Sequence, residues 1–165
     1  MKILNIYTDG GFRRALKCGS YAFAIVENSG NIIKEHSKVH DIDDDRVHVT
    51  NNTMEMLGVI KSLNWLKSNG YNPNDYRIYV YTDSQYVQLG ITEWISNWKR
   101  NNWRNASRKP VKNKDLWIVL DKIVTFDFPS IHLQWTQGHD GNKWNEHVDK
   151  LCTKAMEEYY DTKIR

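Results

Sequence analysis

The chain has 165 residues, of which 40% are hydrophobic and 26% are charged, and its formal net charge is +3. This length predicts one globular domain with its own core, and the composition excludes disordered, collagen-like and low-complexity proteins. No apolar run approaches the roughly 20 residues of a membrane span, and no signal-peptide core is present. The two cysteines lie far apart, without metal-binding spacing. We therefore expect a monomeric cytoplasmic protein with no membrane partner.

The first part of the chain predicts three strands. Residues 2–8 alternate between two faces and predict a strand that ends at Asp9, Gly10 and Gly11. Residues 21–27 and 31–39 are two β-prone runs joined by an Asn-Ser-Gly turn, which is typical of a hairpin. Together these segments predict a three-stranded antiparallel meander.

The second part of the chain predicts alternating helices and strands. After Thr50 or Asn51, either of which could be the N-cap, apolar residues recur at positions 56, 59, 60, 63 and 66, and Gly70 lies beyond the helix end. Residues 77–82 and 131–136 are short β-rich runs, and helices are predicted at about 84–100, 113–125 and 143–160. Strands separated by helices imply parallel crossovers. The prediction is an α/β domain with a five-stranded mixed sheet over residues 1–165.

Basic and aromatic residues are interleaved in one segment. Residues 97–114 contain no acid and seven basic residues, namely Lys99, Arg100, Arg104, Arg108, Lys109, Lys112 and Lys114. Four tryptophans lie in or beside this segment: Trp94, Trp98, Trp103 and Trp117. Such interleaving favours binding of a nucleic-acid phosphate backbone. The alternative is a solvated basic helix whose tryptophans belong to the core.

Carboxylates follow two of the predicted strands. Asp9 and Asp83 each end a Tyr-Thr-Asp tripeptide, and parallel neighbours would bring these strand ends together. Glu55 lies just before the apolar stripe of the first helix, and Asp149 lies in the last helix. Taken singly, each acid could be a turn or cap residue. Carboxylates that meet must share protons or bind cations, and hard oxygen ligands select Mg²⁺ or Mn²⁺.

These residues belong to motifs that resemble the type 1 ribonucleases H, most closely bacterial ribonuclease HI. The motifs occur in the family's order along nearly the whole chain: YTDGG at 7–11, TNNTME at 50–55, YTDSQYV at 81–87, GITEWISNWKRNNW at 90–103, KPVKNKDLW at 109–117, QGHDG at 137–141 and NEHVD at 145–149. The resemblance implies the ribonuclease H-like fold. It also implies endonucleolytic cleavage of the RNA strand of RNA·DNA hybrids by two Mg²⁺ ions, with Mn²⁺ as an alternative, leaving 3′-hydroxyl and 5′-phosphate ends.

The same resemblance implies roles for particular residues. The metal-binding catalytic carboxylates would be Asp9, Glu55, Asp83 and Asp149, and His139 would move a proton or help product leave. Asn51, Asn52 and Gln85 would enter the minor groove, Tyr86 and Trp94 would line a DNA channel, and Thr50 and Asn113 would bind a DNA phosphate. A basic handle at about 94–114 would contact the hybrid through Trp98, Lys99, Arg100, Trp103 and Arg104.

Two segments depart from the family pattern. Residues 12–20 read FRRALKCGS where bacterial members carry a Gly/Pro-rich loop, and His48 stands where an arginine is frequent. Two other functions remain as alternatives to hybrid cleavage. One is a non-catalytic nucleic-acid-binding module on the same fold, and the other is a nuclease of this fold that acts on DNA.

Overall fold

A computed structural model describes residues 1–136 and 143–165 of the chain. Its strands are β1 (Lys2–Arg13), β2 (Cys18–Glu27), β3 (Ile32–Asp41), β4 (Tyr76–Thr82) and β5 (His132–Trp135). Its α-helices are α1 (Asn51–Ser68), α2 (Gln85–Leu89), α3 (Ile95–Arg100), α4 (Lys114–Lys122) and α5 (Lys143–Ile164). A π-helical turn, Gly90–Trp94, joins α2 to α3, and a second one, Ile123–Asp127, extends α4.

The strands form one sheet in the order β3-β2-β1-β4-β5. β1, β2 and β3 pair antiparallel, whereas β4 pairs parallel to both β1 and β5. The predicted five-stranded mixed sheet is therefore confirmed. No helix within the described part of the chain has both the length and the apolar character that a membrane crossing requires.

The first strand is longer than the sequence predicts. Gly10 and Gly11 do not end β1, because they pair with Tyr21 and Ser20 of β2 and the strand continues to Arg13. The turn comes later, through a short 3₁₀ segment, Arg14–Leu16, followed by a residue with left-handed backbone geometry. The FRRALKCGS segment therefore forms the tip of a long hairpin.

The N-cap of α1 is Thr50, one of the two residues, Thr50 and Asn51, that the sequence offers for this position. The Thr50 hydroxyl accepts a hydrogen bond from the backbone N–H of Thr53 at 3.0 Å, and the Thr53 hydroxyl accepts one from the N–H of Thr50 at 2.9 Å. This reciprocal cap satisfies two donors at the helix start. The predicted apolar stripe is buried and packs on the sheet, where Leu63 and Leu66 are fully enclosed.

Helix α5 covers the opposite face of the antiparallel strands. The Ser20 hydroxyl donates to the carbonyl oxygen of Cys152 at 2.7 Å. At the outer strand, β3, the side chain of His147 contacts that of Glu35 at 2.6 Å. The hydroxyl of Tyr159 donates a hydrogen bond to the carboxylate of Asp41, also on β3, at 2.6 Å. These polar contacts fix the register of α5 against β2 and β3, and so determine where its acidic residues lie.

Gly10 is the point where α1 comes nearest to β1. A Cβ at this position would lie 2.6 Å from the carbonyl oxygen of Met54 and nearer still to the backbone of Glu55. A Cβ at Gly11 would have no neighbour closer than 3.9 Å. The absence of a side chain at Gly10 therefore allows the helix backbone to approach the strand.

Replacing Gly10 by alanine should force α1 away from β1. We expect Gly10→Ala to lower the free energy of unfolding by about 1–3 kcal/mol, the usual cost of overpacking. Urea denaturation measures this change, with Gly11→Ala as the matched control. Equal stability of the two variants would show that α1 can shift without cost.

Candidate active site

Three carboxylates from three elements meet at the C-terminal ends of the parallel strands. Asp9 belongs to β1, Glu55 to the first turns of α1, and Asp83 directly follows β4. Carboxylate oxygens from all three lie within 4.8 Å of one another. The predicted meeting of the two Tyr-Thr-Asp strand ends, with Glu55 beside them, is therefore observed.

The fourth predicted acid, Asp149, lies beside this cluster. It reaches the sheet from α5, and its carboxyl group contributes to raising the pKa of Asp9. All four acids line one open cavity of about 310 Å³. The sequence is thus folded so that acids from β1, α1, the β4 end and α5 face a single space.

Burial and mutual repulsion disfavour negative charge here. Desolvation by burial, together with the neighbouring charge of Asp83, raises the pKa of Asp9 to about 8. Burial also raises the pKa of Glu55 well above its usual range, and Asp9 and Asp83 add to the effect. Without a cation, the cluster therefore retains protons at neutral pH.

The donor set fits a hard divalent cation. Every ligand atom offered by the three clustered acids is a carboxylate oxygen, the donor that Mg²⁺ and Mn²⁺ prefer. One oxygen of Glu55, Oε2, is buried with no hydrogen-bond partner among the described residues. A buried acceptor without a donor is costly, and a cation would satisfy it. The residues present therefore fit the use of a divalent metal.

The predicted proton carrier is His139. His139 lies outside the described residues, which resume at Lys143.

The residues predicted to enter the minor groove flank the carboxylates. Asn51 lines the same cavity as the acids, and its side-chain oxygen accepts a hydrogen bond from the N–H of Phe12 at 2.8 Å. Asn52 at the start of α1 and Gln85 at the start of α2 are both exposed. The backbone N–H of Phe12 thus holds the side-chain amide of Asn51 at the rim of the cavity, a contact that the sequence does not reveal.

Tyr86 is the centre of the predicted DNA channel. Its hydroxyl accepts hydrogen bonds from Nδ2 of Asn113 at 3.0 Å and from Nε1 of Trp117 at 3.2 Å. The ring of Trp94 meets that of Tyr86 edge-on at 5.7 Å. The structure thus joins Tyr86, Trp94 and Asn113, whereas Thr50 uses its hydroxyl in the cap of α1.

The tryptophans of the handle connect it to the core. Trp98 packs against Trp94, Trp103 and Trp117, with ring centroids 5.5–6.3 Å apart, and Trp117 is fully buried. Trp94, Trp98 and Trp103 are half-buried. The sequence left open whether these rings bind nucleic acid or belong to the core, and the structure gives them extensive packing.

The basic side chains of the handle project outward. Arg100, Arg104 and Arg108 line a groove of about 660 Å³ together with several asparagines. Lys99 instead forms an ion pair with Asp121 of α4 at 3.2 Å. The cationic surface is therefore formed by arginines more than by Lys99.

Cys152 is a cavity residue to which the sequence assigns no chemistry. It follows Asp149 by three positions on α5, a spacing that places both on one helix face, and it lines the cavity with the four acids. Burial raises the pKa of its thiol to about 12. The thiol is therefore protonated at neutral pH and is unsuited to bind metal as a thiolate. The three-residue spacing between Asp149 and Cys152 is the sequence signal that could have identified Cys152 as a cavity residue.

Comparisons with known proteins agree with this geometry. The family model described as RNase H matches residues 1–157. The Ribonuclease H of Hydrogenovibrio crunogenus is 38% identical over 158 residues, covering 96% of this chain and 98% of that protein. The Ribonuclease HI of Haemophilus influenzae is 44% identical over 124 residues, covering 75% of this chain and 74% of that protein.

A solved structure shows the same fold. LC11-RNase H1 in complex with an RNA/DNA hybrid superimposes with a TM-score of 0.64 at 21% identity, covering 94% of this chain and 97% of that one. The sheet order, the carboxylate cluster, the family match and the curated relatives agree, and the chain therefore belongs to the ribonuclease H family of RNA·DNA-hybrid endonucleases.

Proposed function

We propose that this enzyme uses two Mg²⁺ ions, held by Asp9, Glu55, Asp83 and Asp149, to hydrolyse the RNA strand of an RNA·DNA hybrid, leaving 3′-hydroxyl and 5′-phosphate ends. The convergence of the oxygens of Asp9, Glu55 and Asp83 within 4.8 Å carries this proposal. Complexes of a relative with an RNA/DNA hybrid support the choice of substrate. Mn²⁺ offers the same coordination chemistry and is the alternative ion.

The protein supplies charge and position to this reaction. Held by these four carboxylates, the two ions would supply Lewis acidity for the activation of a water molecule and for stabilisation of the leaving oxygen of the phosphodiester. The carboxylates of Asp9 and Glu55 lose their protons as the cations bind, because the positive charge reverses the repulsion that raises their pKa values. His139 is proposed to carry a proton or assist product release, a role for which an imidazole is suited near neutral pH.

The surfaces beside the carboxylates would position the two strands. Asn51, Asn52 and Gln85 are proposed to hydrogen-bond in the minor groove, where RNA displays its 2′-hydroxyls. Tyr86 and Trp94 are proposed to line the path of the DNA strand, with Asn113 and Thr50 at one of its phosphates. The handle, with Trp98, Trp103 and its basic side chains, is proposed to add phosphate contacts outside the cleft.

Replacing one carboxylate should separate binding from chemistry. We expect Asp9→Asn to reduce turnover of a labelled hybrid by at least about 10³-fold, since metal-assisted charge stabilisation is worth several kcal/mol. Hybrid affinity should remain measurable because the handle is untouched. Asp75→Asn, an exposed neutralisation outside the cavity, is the matched control.

The same assay tests the alternative functions. Wild-type protein that binds the hybrid with Mg²⁺ and leaves it intact would be a binding module, and cleavage of duplex DNA would make it a DNA nuclease. Near-native turnover by Asp9→Asn would show that Asp9 does not hold the catalytic metal.

The raised pKa values predict how pH affects the metal-free protein. Asp9 binds its proton more tightly when folded than at its ordinary value of 3.8, so the free energy of unfolding falls as pH rises from about 4 to about 8. In EDTA at pH 8, Asp9→Asn should therefore be more stable than wild type by on the order of 2 kcal/mol.

At pH 4 this difference should disappear, and Mg²⁺ should stabilise only the wild type at pH 8. Thermal unfolding at the two pH values measures both effects. A wild-type protein that is equally stable at pH 4 and pH 8 in EDTA, with no gain from the substitution, would contradict the repulsion described above.

Neutralising the groove of the handle should weaken hybrid binding. Replacing Arg100, Arg104 and Arg108 by glutamine should raise KM and flatten its salt dependence, because each lost phosphate contact reduces the slope of log K against log salt by roughly 0.7–0.9. The matched control is glutamine at Lys38, Lys61 and Lys154, which are exposed outside the handle. The same KM and salt dependence in the two triple variants would show that the handle acts only through its contribution to the net charge of the protein.

A further inference from the structure

A row of stacked aromatic rings crosses the second face of the parallel strands. The ring of His132 stacks on that of Tyr79, with ring centroids 4.8 Å apart. Tyr81 stacks on Tyr7, also at 4.8 Å, with an interplanar angle of 10°. The ring centroids of Tyr79 and Tyr81, 6.5 Å apart, link the two pairs. Trp144 continues the row beyond Tyr7 at 6.1 Å. These five residues form what we term the aromatic row, and the proposed chemistry of the site uses none of them.

The sheet register explains why the row is continuous. Asn5, Tyr79 and His132 are neighbours across β1, β4 and β5, and Tyr7 and Tyr81 are neighbours one step closer to the strand ends. Alternate residues on the same strands are buried beneath α1. The row therefore occupies the face of the sheet that α1 does not cover.

Part of this face is accessible. Helix α5 packs on β1, β2 and β3 and so covers the end of the row that Tyr7 and Trp144 form. Tyr79 and Tyr81 are only half-buried, while His132 and Gln134 on the edge strand β5 are exposed. The ring at this end of the row is His132, which lies on the edge strand β5, so a further planar group can stack on its outer face.

The charges around the row favour an anionic partner. On β1, β4 and β5, no residue of this face is acidic short of the catalytic cluster, and Arg77 lies at the far end of β4. The ammonium of Lys143 lies 5.2 Å from the ring centre of Trp144. Asn5 and Gln134 add polar groups able to hydrogen-bond beside the rings. Flat apolar surface, amide groups and flanking cations are the features that bind single-stranded nucleic acid.

The row is also continuous with the catalytic site. Tyr7 precedes Asp9 by two residues on β1, so this ring and this carboxylate lie on the same face of the strand. Asp83 follows Tyr81 by two residues, just beyond the end of β4. A nucleic-acid strand that runs from the carboxylates toward the N-terminal ends of the β-strands therefore passes over the aromatic row. Since the strand at the carboxylates is RNA in the proposed function, the segment that reaches the rings is RNA as well.

We propose that the aromatic row binds a single-stranded RNA extension of the hybrid, with a base stacked on His132 and phosphates near Arg77 and Lys143. This surface would anchor the enzyme where a hybrid passes into unpaired RNA. It shares no residue with the handle, which is formed by residues 94–114.

Binding in EDTA tests this proposal, because affinity is then read without cleavage. The probes are a blunt RNA·DNA hybrid and the same hybrid with a single-stranded RNA extension of about eight nucleotides at either end. The wild type should bind at least one extended probe about tenfold more tightly than the blunt probe, as expected for stacking of one or two bases.

Substitutions in the row should remove this gain only. His132→Ala changes an exposed side chain, and Tyr79→Ser removes the ring beneath it. Both should bind the blunt probe as the wild type does and lose most of the tenfold preference, while Tyr79→Phe should retain it. Phe126→Ala, which removes another highly exposed aromatic side chain, is the matched control and should also retain it.

Equal affinity of the wild type for blunt and extended probes would overturn the proposal, and so would a preference that survives both His132→Ala and Tyr79→Ser. Failure of the nuclease assignment would be seen separately, as absence of Mg²⁺-dependent cleavage of the blunt hybrid by the wild type.

Discussion

Carboxylates whose oxygens lie within 4.8 Å of one another repel strongly where water is scarce, and the fold must hold them together against that repulsion. The holding force comes from elsewhere in the molecule. The backbone of α1 is pressed onto β1 at Gly10, and the buried stripe of α1 packs on the sheet over several turns. Burial of that apolar surface offsets the cost of bringing Asp9, Glu55 and Asp83 together, and a cation then becomes the favoured occupant.

The periodic elements of the fold could be predicted from the sequence. The stripe of α1, its cap at Thr50 and the β-prone runs are local patterns, and each corresponds to an element that the structure contains. The convergence of Asp9 and Asp83 could also be predicted, because parallel strands must end on the same edge. The order of motifs then made the family assignment specific.

Features that depend on pairing partners could not be predicted in the same way. Gly10 and Gly11 look like a strand end by residue type, yet β2 continues to pair with them to the end of the hairpin. The tryptophans of the handle looked as suited to nucleic acid as to a core, and only their ring contacts show how closely they pack together. The sequence does not reveal the aromatic row, because the alternation of Tyr79 and Tyr81 fits any half-buried strand and tertiary packing sets the sheet face on which they lie.

The site is assembled from segments far apart in sequence, and its last acid comes from the last helix. Asp149 reaches the cavity only when α5 has docked on β2 and β3 through Ser20, Glu35 and Asp41. During synthesis, a nascent chain that has not yet released α5 from the ribosome therefore carries three of the four acids. The four-acid cavity is therefore complete only after the last helix has been synthesised and has docked on the sheet.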